Sequence, residues 1–209
     1  MDPKNPTCPQ NPDWSANPQM KLTVKDVGGE RVLLAEGAVD NGLLPRLTAK
    51  LKADPGITEI WLRSPGGVAA VGNEAGRLIR KAGIPTRIPQ GWACFSACNF
   101  IFMGGPIRSI DPVGLFIVHM FTHVGDREGT RNEIEDNPDA AVDMIGDIEQ
   151  SSALLASDDN DFLIRMGVSR KLLTEVMYRQ KSVASAEDQS TRRCLTQDEV
   201  RRYNVVNAG

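Results

Sequence analysis

The chain has 209 residues, 41% of them hydrophobic, enough for one domain with a sizeable core. Its net charge of −3 and pI near 5.5, with both signs mixed along the chain and no basic stripe, argue against nucleic-acid binding. The longest strongly apolar run, from about Ala93 to Met103, is too short to cross a bilayer.

Residues 1–20 carry Pro3, Pro6, Pro9, Pro12 and Pro18 and no apolar core of a signal peptide, so they read as a mobile tail ahead of one domain over 21–209. The compartment stays open: cytoplasmic as the chain is written, periplasmic if a leader has been removed. Arg31 to Val39 reads as a strand. Leu43/Leu44, Leu47 and Leu51 recur at helical spacing, with Pro45 tolerable in a first turn and Asp54-Pro55-Gly56 as the stop. Ile57 to Leu62 is a buried strand, Ser64-Pro65-Gly66-Gly67 a turn, and Val68, Val71, Ala75, Leu78/Ile79 and Ala82 a helical stripe ended by Gly83. Ile84 to Ile88 is a third strand. Ser96 to Met103 is a helix apolar nearly all round, hence central, and Gly114 to Met120 is a further strand. The alternation implies an α/β fold with mainly parallel pairing. Pro138 to Met166 then forms a long amphipathic helix with Ala141, Met144/Ile145, Ile148, Leu155, Phe162 and Met166 on one face, broken in polarity at Ser152 and Asp159. Ser169 to Tyr178 and Thr196 to Tyr203 are two more helices, and Lys181 to Thr191 is a polar loop.

Three features carry chemistry. Ser96 lies in Gly91-Trp92-Ala93-Cys94-Phe95-Ser96-Ala97-Cys98, where a strand-like segment meets an apolar helix. His119 ends a buried strand, a rigid element that can aim an imidazole; His123 reads as a surface residue. A serine hydroxyl needs such a base to take its proton. At the start of a helix the Ala97 N–H has no intrahelical partner and faces developing negative charge, and the Gly66-Gly67 turn lets the Gly67 amide approach a ligand. Taken singly, these are an N-cap, a turn and a core histidine. Their order and spacing together fit acyl transfer by a serine peptidase.

The span from about Gly37 to His119 resembles the proteolytic subunit of the Clp protease and its relatives, within the wider Clp-protease/crotonase fold. A strand ending in Ser64-Pro65-Gly66-Gly67, a Gly91-x4-Ser96 nucleophile opening a second helix, and a strand Ile117 to His119 carry the resemblance. The Ser-Ala-Cys triplet after Phe95 is closer to a divergent bacterial branch of periplasmic type. The resemblance implies a spiral of β-β-α units with a long helix in the C-terminal half that builds homo-oligomeric rings. It implies Ser96 as nucleophile, His119 as base, the Gly67 and Ala97 amides as oxyanion hole, a peptide or unfolded-protein substrate and no cofactor. An ATPase partner is open, because the family's docking surface has no counterpart that can be named here.

The pattern departs from the family at the third triad member. Arg192 and Arg193 stand where the family has Asp, and the candidates are Asp188, Glu187 or the amide oxygen of Gln180. A degenerate triad would leave a non-catalytic assembly or binding protein, and a crotonase-type acyl-thioester enzyme would use the paired amides without Ser96 and His119. Lys81 and Lys181, the alternative bases, read as solvated surface charges. Cys94 and Cys98 read as buried small hydrophobes one helical turn apart; a Cys8–Cys194 disulfide is open. Cys94-x3-Cys98 with His119-x3-His123 superficially fits a zinc site, but those residues belong to an apolar core rather than a ligand-held loop.

Overall fold

A computed structural model describes residues 7–121, 127–183 and 191–208. The strands are β1 (Lys21–Val27), β2 (Glu30–Glu36), β3 (Glu59–Arg63), β4 (Thr86–Ile88), β5 (Ala93–Phe95), β6 (Arg108–Ile110), β7 (Leu115–His119) and β8 (Arg192–Cys194). The helices are α1 (Leu43–Ala53), α2 (Ala69–Ala82), α3 (Ala97–Gly104), α4 (Arg127–Asp136), α5 (Pro138–Met166) and α6 (Gln197–Arg202). One sheet runs β1-β2-β3-β4-β6, parallel except for the antiparallel edge strand β1; the other runs β5-β7-β8, with β5 and β7 parallel. This is the mixed α/β architecture that the alternation of strand and helix patterns requires.

The core follows from the apolar positions. Leu33, Ile60 and Leu62 of the first sheet, Leu43 and Ile79 of the helices on it, and Ile101, Phe102 and Phe116 beyond are all at most 1% exposed. Phe162 of α5 is fully buried and meets Phe100 edge to face with ring centroids 5.2 Å apart. Burying such a ring contributes about 2–3 kcal/mol. Helices α2 and α3 approach so closely that a Cβ on Gly72 would meet the Ala97 carbonyl oxygen at 2.5 Å. That contact holds the first turn of α3 in place.

Several elements depart from the sequence expectations. β1 pairs with β2 through the Gly28-Gly29 turn, and its alternation of Leu22 and Val24 with polar residues is the signal that went unread. The stretch 169–178, expected as a helix, instead makes a π-helical turn, Leu172–Val176, followed by a 3-10 turn, Met177–Arg179. α5 is one helix of 29 residues, but only Asp159, Phe162, Leu163 and Met166 are buried along it. It contacts α4, a helix with no apolar periodicity to announce it.

Residues 7–20, whose proline-rich composition reads as a mobile tail, are tied down from Thr7 onward. Cys8 is fully buried and disulfide-bonded to Cys194, with Cα atoms 5.1 Å apart. Asp13 forms a parallel bridge with Trp92, its carbonyl accepts from the Ala93 N–H at 2.8 Å, and Trp14 stacks on Phe95 at 5.6 Å. Proline-rich composition discourages helix and strand, yet an extended segment can still be pinned by a cross-link and an aromatic stack. The second cysteine reading is also corrected. Cys94 and Cys98 are buried as expected but form a disulfide, Cα–Cα 5.4 Å. Cys94 sits on β5 rather than on the helix, and the sharp turn between β5 and α3 folds the two Cα atoms into bonding range.

Candidate active site

β5 and β7 run parallel with Phe95 opposite Ile117, so Ser96 and His119 emerge at the same carboxyl edge of the second sheet. Ser96 turns the chain from β5 into α3 with φ 58° and ψ −126°, a region that non-glycine residues rarely occupy. Its side chain does not cap the helix. The Ser96 hydroxyl instead lies 2.7 Å from His119 Nε2. His119 Nδ1 lies 2.7 Å from the Met120 carbonyl oxygen, which can only accept. Nδ1 therefore carries the proton, and the Nε2 lone pair faces the Ser96 hydroxyl. This is the tautomer in which Nε2 can receive a proton. Burial pushes the His119 pKa below its ordinary 6.5, opposed in part by the Met120 carbonyl, so the ring is neutral at pH 7.

The surrounding backbone locks this geometry. The Asn99 side-chain Nδ2 donates to the Ile117 carbonyl at 2.7 Å, joining α3 to β7 from a buried position. Phe95 places its ring 4.8 Å from the His119 ring. The Ser64 hydroxyl accepts from the Gly66 N–H at 3.1 Å, a local bond that shapes the Ser-Pro-Gly-Gly turn. Ser64 also exchanges backbone bonds with Ala93 and Phe95, which splices the turn to β5. Gly66, at φ 84°, abuts Ser96 so closely that a Cβ there would meet Ser96 Cβ and the Phe95 carbonyl oxygen at 2.5 Å each. Among the described residues none accepts a hydrogen bond from the Gly67 or Ala97 N–H.

These parts open on a cavity of about 250 Å³ lined by Gly67, Ala69, Ser96, Ala97, Phe100, His119, Phe121, Leu155, Asp159 and Met177. The structure thus brings together four of the five residues singled out from the sequence: Ser96, His119, Gly67 and Ala97. The fifth, Asp188, lies outside the described residues, as do Glu187 and His123. Gln180 donates its side-chain amide to the Val176 carbonyl at 2.9 Å, and no hydrogen bond joins it to His119. Lys81 is exposed at the end of α2, and Lys181 is exposed as well. With both sulfurs oxidised, Cys94 and Cys98 offer no thiolates to a metal, and among the described residues no His/Cys/Asp/Glu cluster could hold one. Two site residues escaped sequence reading. The Met120 carbonyl has no side-chain signature. Asp159 did have one, as the single charge interrupting the apolar stripe of α5.

No known protein-family profile matches the chain, and no curated protein matches it in sequence. Its likeness to solved structures is clear. A mutant of ClpP1 from Listeria monocytogenes superposes with a TM-score of 0.57 at 14% identity, over 84% of this chain and 88% of that one. A mutant of the 1510-N membrane-bound stomatin-specific protease superposes at 0.51, also with 14% identity, over 84% of this chain and 75% of that one. The fold is therefore Clp-protease-like, as the resemblance implied. No described helix is long and apolar enough to cross a membrane.

Proposed function

We propose that this chain is a serine peptidase of peptides or unfolded protein segments. The observation that carries the reading is the 2.7 Å Ser96 hydroxyl to His119 Nε2 contact, made by a serine that leaves its own helix uncapped. Ser96 Oγ attacks the scissile carbonyl while Nε2 takes its proton. The imidazolium so formed is held through Nδ1–H by the Met120 carbonyl. The oxyanion receives the Gly67 and Ala97 N–H groups, each well-placed donor lowering the barrier by about 3–4 kcal/mol. Collapse passes the proton from Nε2 to the leaving amine, and water repeats the cycle to free Ser96. The Met120 carbonyl supplies orientation without a full negative charge, and Asp188 is the proposed carboxylate for that position.

Two further features support the family's mode of action. Val142, Ile145, Leu154 and Ile164 of α5 are 57–71% exposed, an apolar surface suited to self-association into a homo-oligomer, which light scattering tests. All four cysteines are paired, which fits an oxidising compartment such as the periplasm. The central test is fluorophosphonate labelling read by intact mass. One adduct on the wild type, absent in Ser96→Ala and strongly reduced in His119→Ala, is expected. A folded wild type that takes no adduct, or labelling that persists in both variants, overturns the proposal. Asp188→Asn separates the orienters: a fall of about 10⁴ in rate marks a carboxylate partner, and an unchanged rate leaves the Met120 carbonyl sufficient.

A further inference from the structure

Among the described residues Asp159 is the one carboxyl group lining the cavity beside Ser96 and His119, and it is 4% exposed. No described residue donates a hydrogen bond to it, and among the described residues no lysine or arginine lines the cavity. The Tyr178 hydroxyl, close enough to feel its charge, is buried and also without a hydrogen-bond partner among the described residues. The other described walls away from Ser96 and His119 are apolar: Ala69, Phe100, Phe121, Leu155 and Met177. A buried carboxyl without a partner is costly, and proteins retain such groups where a ligand completes them. The cost shows in Asp159 itself, whose pKa burial and Asp158 push up to about 7.

We propose that Asp159 determines specificity, selecting substrates with a lysine or arginine on the acyl side of the scissile bond. This rests on the peptidase reading of Ser96. A cavity of about 250 Å³ holds one long side chain. The methylene stem of lysine or arginine lies along the apolar wall, and its cationic head meets Asp159. A leucine would fill the same wall and leave the carboxyl buried and unpaired. The charge complement thus favours a basic side chain over an aliphatic one of similar length.

The test uses fluorogenic peptides identical except for the residue before the coumarin amide: Lys, Arg, Leu or Gln. The wild type is expected to cleave the Lys and Arg peptides with a kcat/KM about tenfold or more above Leu, the discrimination of one charge-assisted contact. Asp159→Asn should abolish that preference while retaining Leu cleavage and fluorophosphonate labelling of Ser96. Asp159→Glu should keep it in part. A wild type that labels at Ser96 yet prefers Leu or Gln overturns the specificity assignment and leaves the peptidase intact, as does an Asp159→Asn variant that still prefers Lys. A folded wild type that neither labels nor cleaves any of the four overturns both.

Discussion

Removing the Cys8–Cys194 cross-link, as Cys8→Ser with Cys194→Ser, should lower stability more than any surface change. The bond joins residues 186 apart in sequence. The chain-entropy relation for a loop of that length puts its stabilisation at about 5 kcal/mol. With a urea dependence of about 2.5 kcal/mol per molar, the unfolding midpoint should fall by about 2 M. The effect should reach the site as well. The cross-link pins the segment that carries Trp14, Trp14 stacks on Phe95, and the Phe95 ring packs against His119. Fluorophosphonate labelling of Ser96 should slow in the double variant under conditions where it is still folded. Intact mass of the wild type with and without reductant, before and after thiol alkylation, should report four cysteines released only on reduction. A midpoint within about 0.5 M of the wild type would refute the reasoning, because the denatured chain would then gain nothing from losing the tether.

Other perturbations follow from the site. Because burial lowers the His119 pKa, the base stays neutral below pH 6.5, and the acid limb of the labelling rate or of kcat/KM should have its midpoint under 6.5. A midpoint above 6.5 would contradict the buried, Met120-bonded ring. The buried Asp159 carboxyl has its pKa raised from 3.8 to about 7, so the folded state holds its proton more tightly than the unfolded state does. That contribution to stability is full below about pH 4 and is lost as pH rises toward 7, a change of about 4 kcal/mol. Asp159→Asn removes it, so the variant should be the more stable protein at pH 8 and lose that advantage at pH 4; parallel denaturation profiles would speak against a buried, unpaired carboxyl. Gly66→Ala puts a Cβ at 2.5 Å from two atoms that cannot step aside, at a φ of 84°. It should cost about 2–3 kcal/mol in thermal or urea unfolding and abolish labelling, whereas wild-type behaviour would mean that the turn does not abut Ser96.

The apolar patterns made the body of the fold legible. Period 3.6 marked α1, α2 and α5, β-branched runs marked β3 and β7, and glycines marked where they stop. That Ser96, His119, Gly67 and Ala97 come together was also legible, because a strand-end histidine, a strand-to-helix serine and a Gly-Gly turn in that order have few arrangements in such a fold. Other elements had no local signal to read. β6 and β8 are three residues each, too short to show alternation, and exist because a neighbouring strand offers its edge. The N-terminal segment has no periodicity, and what orders it is a cysteine 186 residues away.

Local chemistry therefore determined the elements and the choice of Ser96 and His119, since both depend on residues close in sequence or on side chains with few alternatives. Pairings across long separations were decided only when the chain closed. They include the Ser96 hydroxyl at 2.7 Å from His119, the proton placed on Nδ1 by a backbone carbonyl, both disulfides, and the burial of Asp159 beside Ser96 and His119. A sequence records which groups are available; distance, tautomer and desolvation are properties of the space they come to share.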